Sequence, residues 1–191
     1  MAIFKRFFCA FLMTIILVGL VHGCQASAKE ATILIIVDSS KEAYGSQLKS
    51  EVCTQLEKQL LIHAAEEKEL QETIKGLGFE EISKAEKPEL AKMAEKMGVN
   101  KVVIVEILPA MVEYNQIIFC QTIKADATLR IRLYDADKGQ YVLMEDSSGK
   151  GSNKTLLPYM SIGTKPAVLE AVHKAALVAT EKIKMTLSNG V

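Results

Sequence analysis

The apolar positions along the chain fall into runs of two kinds. Residues 31–37 read ATILIIV and residues 102–108 read VVIVEIL, nearly unbroken and rich in β-branched side chains. A strand covered on both faces has no polar side to show, so both runs predict buried strands lying side by side in the centre of a sheet. The stretch 123–134 instead alternates. Ile123, Ala125, Ala127, Leu129, Ile131 and Leu133 share one side, and Lys124, Asp126, Thr128, Arg130, Arg132 and Tyr134 share the other. Period two predicts a strand with one dry and one wet face. A polar break at 113–116 separates this strand from the second apolar run. Asp135 and Gly139 bound a turn, since Asp satisfies local backbone groups and Gly accepts a positive φ. The return begins at Tyr141. An antiparallel meander therefore occupies the middle of the chain, and helices must cover its dry face.

Four helical patterns supply that cover. Residues 41–59 carry the stripe Leu48, Val52 and Leu56, preceded by Asp38-Ser39-Ser40, which suit a helix cap. Residues 66–77 place Leu70, Thr73, Ile74 and Leu77 inward and end at Gly76 and Gly78. Pro88 opens a helix over 89–97, with Leu90, Met93, Ala94 and Met97 on one face and Gly98 as its stop. The last helix, 167–186, presents Val168, Val172, Ala175, Ala179 and Ile183. Most of these are small and let a helix lie close on a sheet. The apolar segment 60–64 reads as an extra strand. Residues 147–165, rich in Gly, Ser, Asn and Lys, read as a long loop of the kind that is functional or mobile. The fold class is α+β: a mixed β-sheet with an antiparallel meander, helices packed on it, and a carboxy-terminal helix.

The amino terminus changes the domain count. Lys5 and Arg6 precede an apolar run at 7–21, too short for an ordinary membrane span and right for a secretory signal. Two processing routes compete. Ala26-Ser27-Ala28 is a small-x-small site that would leave residues 29–191 as a single exported domain. Val21-His22-Gly23-Cys24 is similar to a lipoprotein box, with cleavage after residue 23 and Cys24 as the lipidation site, although His22 fits that box poorly. Export would also allow Cys53 and Cys120 to form a disulfide, against the alternative of two small buried thiols.

Charge and candidate chemistry narrow the function. The 191 residues hold 23 Lys plus Arg and 23 Asp plus Glu, so the net charge is zero and no nucleic-acid partner is expected. Trp is absent, which disfavours glycan binding by ring stacking. Asp38-Ser39-Ser40 follows a strand as in a divalent-cation adhesion site, but Glu42 stands where the second hydroxyl is needed. The helix-cap reading is preferred. Lys154-Thr155 lacks the Gly of a phosphate loop. His63 and His173 have no ligand partners at metal spacing, and no nucleophile elbow exists. No catalytic, cofactor-binding or metal-ligating residue is assigned, and no cofactor is expected.

The order of parts resembles the family of the curli secretion lipoprotein CsgG. It is also similar to the TolB amino-terminal domain and the LpoB-type activators of penicillin-binding proteins. The likeness runs from about residue 31 to 183. Residues 101–107, KVVIVEI, look like the family's buried strand. Residues 129–142 look like its hairpin, with Asp135 and Gly139 on the turn positions. The pore hairpins of the curli transporter have no counterpart, because 108–117 is short and 147–165 carries no alternating apolar band. The resemblance therefore implies the periplasmic scaffold without the pore, and no catalytic residue. The expected role is non-enzymatic binding or assembly in the envelope, in outer-membrane secretion or cell-wall synthase regulation. The alternative is a small hydrolase or ligand-binding protein using the 147–165 loop. The expected partner is another envelope protein or a second copy, with the membrane reached only through Cys24. Arg130, Arg132 and Tyr134 on the wet strand face, and Leu156, Leu157, Tyr159 and Met160 in the loop, are the candidate docking residues.

Overall fold

The computed structural model describes residues 32–60, 67–78, 82–117, 120–156 and 162–189. It contains strands β1 (Ile33–Asp38), β2 (Lys101–Ile107), β3 (Met111–Ile117), β4 (Cys120–Asp135) and β5 (Gln140–Thr155). Its helices are α1 (Gly45–Leu60), α2 (Glu67–Leu77), α3 (Lys87–Met97) and α4 (Lys165–Asn189), with a 3-10 turn at Ile82–Lys84. The mixed α+β class and the terminal helix packed on the sheet are as the pattern predicts.

The sheet is organised around β4. One edge of β4 pairs with β5 along its length. The other edge is shared: Leu129–Asp135 pairs antiparallel with β2 and Cys120–Asp126 with β3. β2 and β3 form one bent strand. Between the pairs Ile107↔Leu129 and Met111↔Asp126 it carries three residues against two on β4, a bulge of one residue at Leu108, Pro109 and Ala110. β1 adds to β2 in parallel.

Two apolar clusters sandwich the upper part of this sheet. On the first face, α1 contributes Leu48, Val52 and Leu56, and α4 contributes Ala167, Val168, Ala171, Val172, Ala175, Ala179 and Ile183. They pack on the dry side of β4 from Ile123 to Leu133. On the second face, α2 and α3 bring Leu70, Ile74, Leu90, Met93 and Ala94 onto Leu34, Ile36, Val102, Ile104 and Tyr134. This second cover reaches only β1, β2 and the turn end of β4. Gly98 ends α3 at φ 65°, the left-handed C-cap that Gly takes without a Cβ penalty.

Four expectations need correction. Among the described residues β1 lies at the sheet edge beside β2, yet it is buried on both faces, because helices above and below cover it. The polar break at 113–116 is strand β3, held by pairing with β4 rather than by burial. The expected loop 147–165 is strand as far as Thr155, because Ser147, Gly149 and Gly151 continue the dry alternation with side chains too small to register as apolar. The first helix starts at Gly45, and Asp38 caps a turn by accepting from the Ser40 amide at 3.0 Å. Cys53 and Cys120 are both free thiols in this structure, the alternative that the sequence left open beside a disulfide. The short strand expected at 60–64 lies, apart from Leu60 in α1, outside the described residues.

The α4 contact explains those glycines. A Cβ built on Gly151 would stand 1.9 Å from the Ala167 carbonyl oxygen, and one on Gly149 would stand 2.1 Å from that of Ala171. The Ala stripe of α4 and the Gly pair of β5 are therefore two halves of one close backbone approach.

Candidate functional site

The side of β4 predicted to be wet is divided by the α2–α3 cover. At the turn end, Tyr134 is 3% exposed and packs in the second core, edge-on to Tyr141 at a centroid distance of 5.8 Å. Arg132 donates from Nη1 to the Ala85 carbonyl at 3.1 Å and from Nη2 to the Ile82 carbonyl at 3.4 Å. Both residues hold the 3-10 turn and α3 against the sheet. The cover hides Tyr134 and takes up the guanidinium of part-buried Arg132, so of the three strand candidates Arg130 alone stands on the open part of the face.

Below that point the second face is open. Arg130, half exposed, lies opposite Glu106 and Asp146, with Nη1 at 3.8 Å from Glu106 and Nε at 3.3 Å from Asp146. Glu106 is the single acid in the apolar run of β2 and is buried at 6% exposure. Its Oε1 accepts from Lys41 Nζ at 2.5 Å. Lys41 and Arg130 supply the cationic partners that a buried carboxylate needs in place of water. The next rows set Met111, Asp126 and Lys150 side by side, then Glu113, Lys124 and Ser152. Lys150 Nζ lies 3.8 Å from Asp126. A cleft of about 470 Å³ runs across these rows, lined by Met111, Glu113, Lys124, Asp126 and Lys150 and closed at one side by Lys174 of α4. Its charges alternate in sign, so it can accept a mixed-charge protein surface in one register better than in others.

Apolar groups border this face. Met111 and Ile117 on β3 are 70% and 69% exposed, and Leu156 at the end of β5 is 80% exposed, while Tyr114, 69% exposed, pairs with Ile123 and points to the first face. Leu157, Tyr159 and Met160 lie outside the described residues, as does Cys24. Ile162, just past that segment, packs on the first core.

Two titratable clusters elsewhere are structural. Asp135 is 2% exposed at the β4 end. Burial pushes its pKa up, but the Lys101 ammonium at 2.9 Å, the Lys138 amide and the Lys138 charge together hold it below the usual carboxylate range. His173 on α4 meets Glu51 on α1 at 2.7 Å, and that hydrogen bond lowers the Glu51 pKa against a smaller effect of burial. Of the three sequence histidines, His173 is thus placed as a tie between helices.

The sequence pattern did not find β3 or Glu106. Strand β3 has a signal in hindsight: MVEYNQI lacks Pro and Gly and carries β-favouring Val112, Tyr114 and Ile117. Glu106 is legible as one acid inside a buried apolar run.

The class defined by this geometry is an α+β scaffold with one half of a sheet face left open. No family model matches the chain, and no curated protein matches it. Solved structures do resemble it. Lipoprotein GNA1162 from Neisseria meningitidis superposes with a TM-score of 0.49 at 14% identity, over 83% of this chain and 99% of that one. TolB from Acinetobacter baumannii gives 0.43 at 16% identity over 84% of this chain but 29% of its own. The LpoB C-terminal domain from Salmonella enterica gives 0.40 at 10% identity, over 64% and 87% respectively. At these identities each is a likeness of chain path.

Proposed function

We propose that the chain is an exported bacterial envelope protein whose domain, residues 29–191, acts by docking another protein and not by turnover. Its setting is outer-membrane secretion or the regulation of cell-wall synthases. One observation carries this reading: the helices leave the lower half of the second sheet face open, and the β3 strand bordering it holds two large apolar side chains on that face, Met111 and Ile117, in water. Large apolar side chains held in water beside an open, charged sheet face favour docking over a neutral surface. The charged rows between β3 and β5 supply register, and the apolar rim supplies desolvation. Leu156 extends that rim. The hydrolase reading loses its mobile loop, since residues 147–155 are part of β5.

Export and docking are tested together. Expressed in a Gram-negative host, the protein should appear outside the cytoplasm with residues 1–28 removed, or with residues 1–23 removed and an acyl adduct on Cys24, as read by intact mass. A photo-crosslinking residue at Lys124 should then trap one discrete envelope protein in living cells, while the same residue at exposed Lys92 on α3 should not. A full-length cytoplasmic chain, or equal trapping from both positions, defeats the proposal.

A further inference from the structure

The edges of this sheet are treated differently. Along β5, α4 reaches over the outer edge: Glu170 accepts from the Ser152 amide at 2.8 Å, and Lys182 donates to the Asp146 carbonyl at 2.9 Å. Lys174 and Lys182 add ion pairs at 2.7 Å to Glu170 and Glu145. β1 is short and mostly buried. β3 has no such guard. Among the described residues nothing pairs with its outer edge, and its seven residues include no Pro, no Lys and no Arg. Native sheets block open edges with charges, Pro or cover, because a bare edge templates pairing with another strand.

We propose that two copies of this chain pair antiparallel through β3, about a twofold axis at Tyr114, and join their sheets into one. The sequence of β3 is self-complementary in that register. Met111 falls opposite Ile117, Val112 opposite Gln116, Glu113 opposite Asn115, and Tyr114 opposite its own copy. The three exposed apolar residues of β3 thus meet across the axis, and its only charge meets a neutral amide. Sliding the axis to Glu113 would set two carboxylates face to face. Sliding it to Asn115 would oppose Glu113 to Ile117. Only the Tyr114 register buries apolar groups without a charge conflict. The pairing makes the two open second-face halves continuous, and it stands whether or not a different protein docks there.

The test is sedimentation of the exported protein, in detergent if it is acylated, with two substitutions at exposed Asn115. Asn115→Glu places a carboxylate opposite the partner copy's Glu113 twice per dimer and should weaken association roughly tenfold. Asn115→Lys places an ammonium there and should strengthen it by a similar factor. Circular dichroism checks that each variant folds. If Asn115→Glu does not fold, the strengthening by Asn115→Lys decides alone. A wild type that is monomeric at every concentration overturns the proposal and leaves the edge to another chain. A dimer that responds to both substitutions in the same direction, or to neither, overturns it too by placing the contact elsewhere.

Discussion

Lys101 and Asp135 show how a single contact can set the acid limit of a fold. They face each other across the β2–β4 ladder, the lysine 14% and the aspartate 3% exposed at the side chain. The folded pKa of Asp135 is lowered from an unfolded value near 4. The stabilisation is therefore complete above that value and is lost as pH falls through the folded one. Lys101→Met should strand a buried carboxylate and cost about 3 kcal/mol at neutral pH. The gap from wild type should narrow as the pH drops below about 4, where Asp135 takes up a proton. Thermal melts across that range check it, and a gap independent of pH would show that the lost contact was packing alone. Arg130 offers a contrast. Its place in the wet register marked it as a candidate docking residue, yet it faces buried Glu106. Alternation assigns a residue to a face without saying which charges share that face.

At the scale of elements, the β5–α4 contact is the most constrained. A Cβ at Gly151 would meet helix backbone, which cannot swing aside as a side chain can. Gly151→Ala should cost about 3 kcal/mol or more by overpacking, roughly 6–12 °C in Tm for a domain of this size. Ser148→Ala, on the exposed side of the same strand, should change little. Differential scanning calorimetry would separate them. This contact also explains what the pattern of residues could and could not show. The small-residue stripe of α4 was legible as a close approach. Its other half was not, because Ser147, Gly149 and Gly151 read as loop composition until a helix is seen lying on them. β1, β2, β4, α2 and α3 were legible because each shows strong periodicity or unbroken apolarity. β3 has neither, and pairing alone defines it.

At the scale of the molecule, cover is uneven. The turn end of β4 has helices on both faces, and the far end has them on one. Local opening should therefore be easier in the far half. Hydrogen exchange should show longer-lived amide protection over residues 129–135 than over 120–126, although both segments pair with a strand on each side. Equal protection would mean that the sheet opens as one unit. The open candidate site was only half legible for the same reason: alternation predicted a wet face but could not show where α2 and α3 stop.

The bent β2–β3 strand and its partner β4 also act as a ruler. β4 runs sixteen residues without a break. At about 3.3 Å per residue its ends lie roughly 50 Å apart. The chain enters the sheet at Ile33, level with Lys101 and Asp135, while Ile117 and Cys120 close the opposite end. Anything that tethers the chain before Ile33 holds one end of that ruler. The bare β3 edge and the charged rows lie toward the other, held from Ile33 by continuous strand pairing.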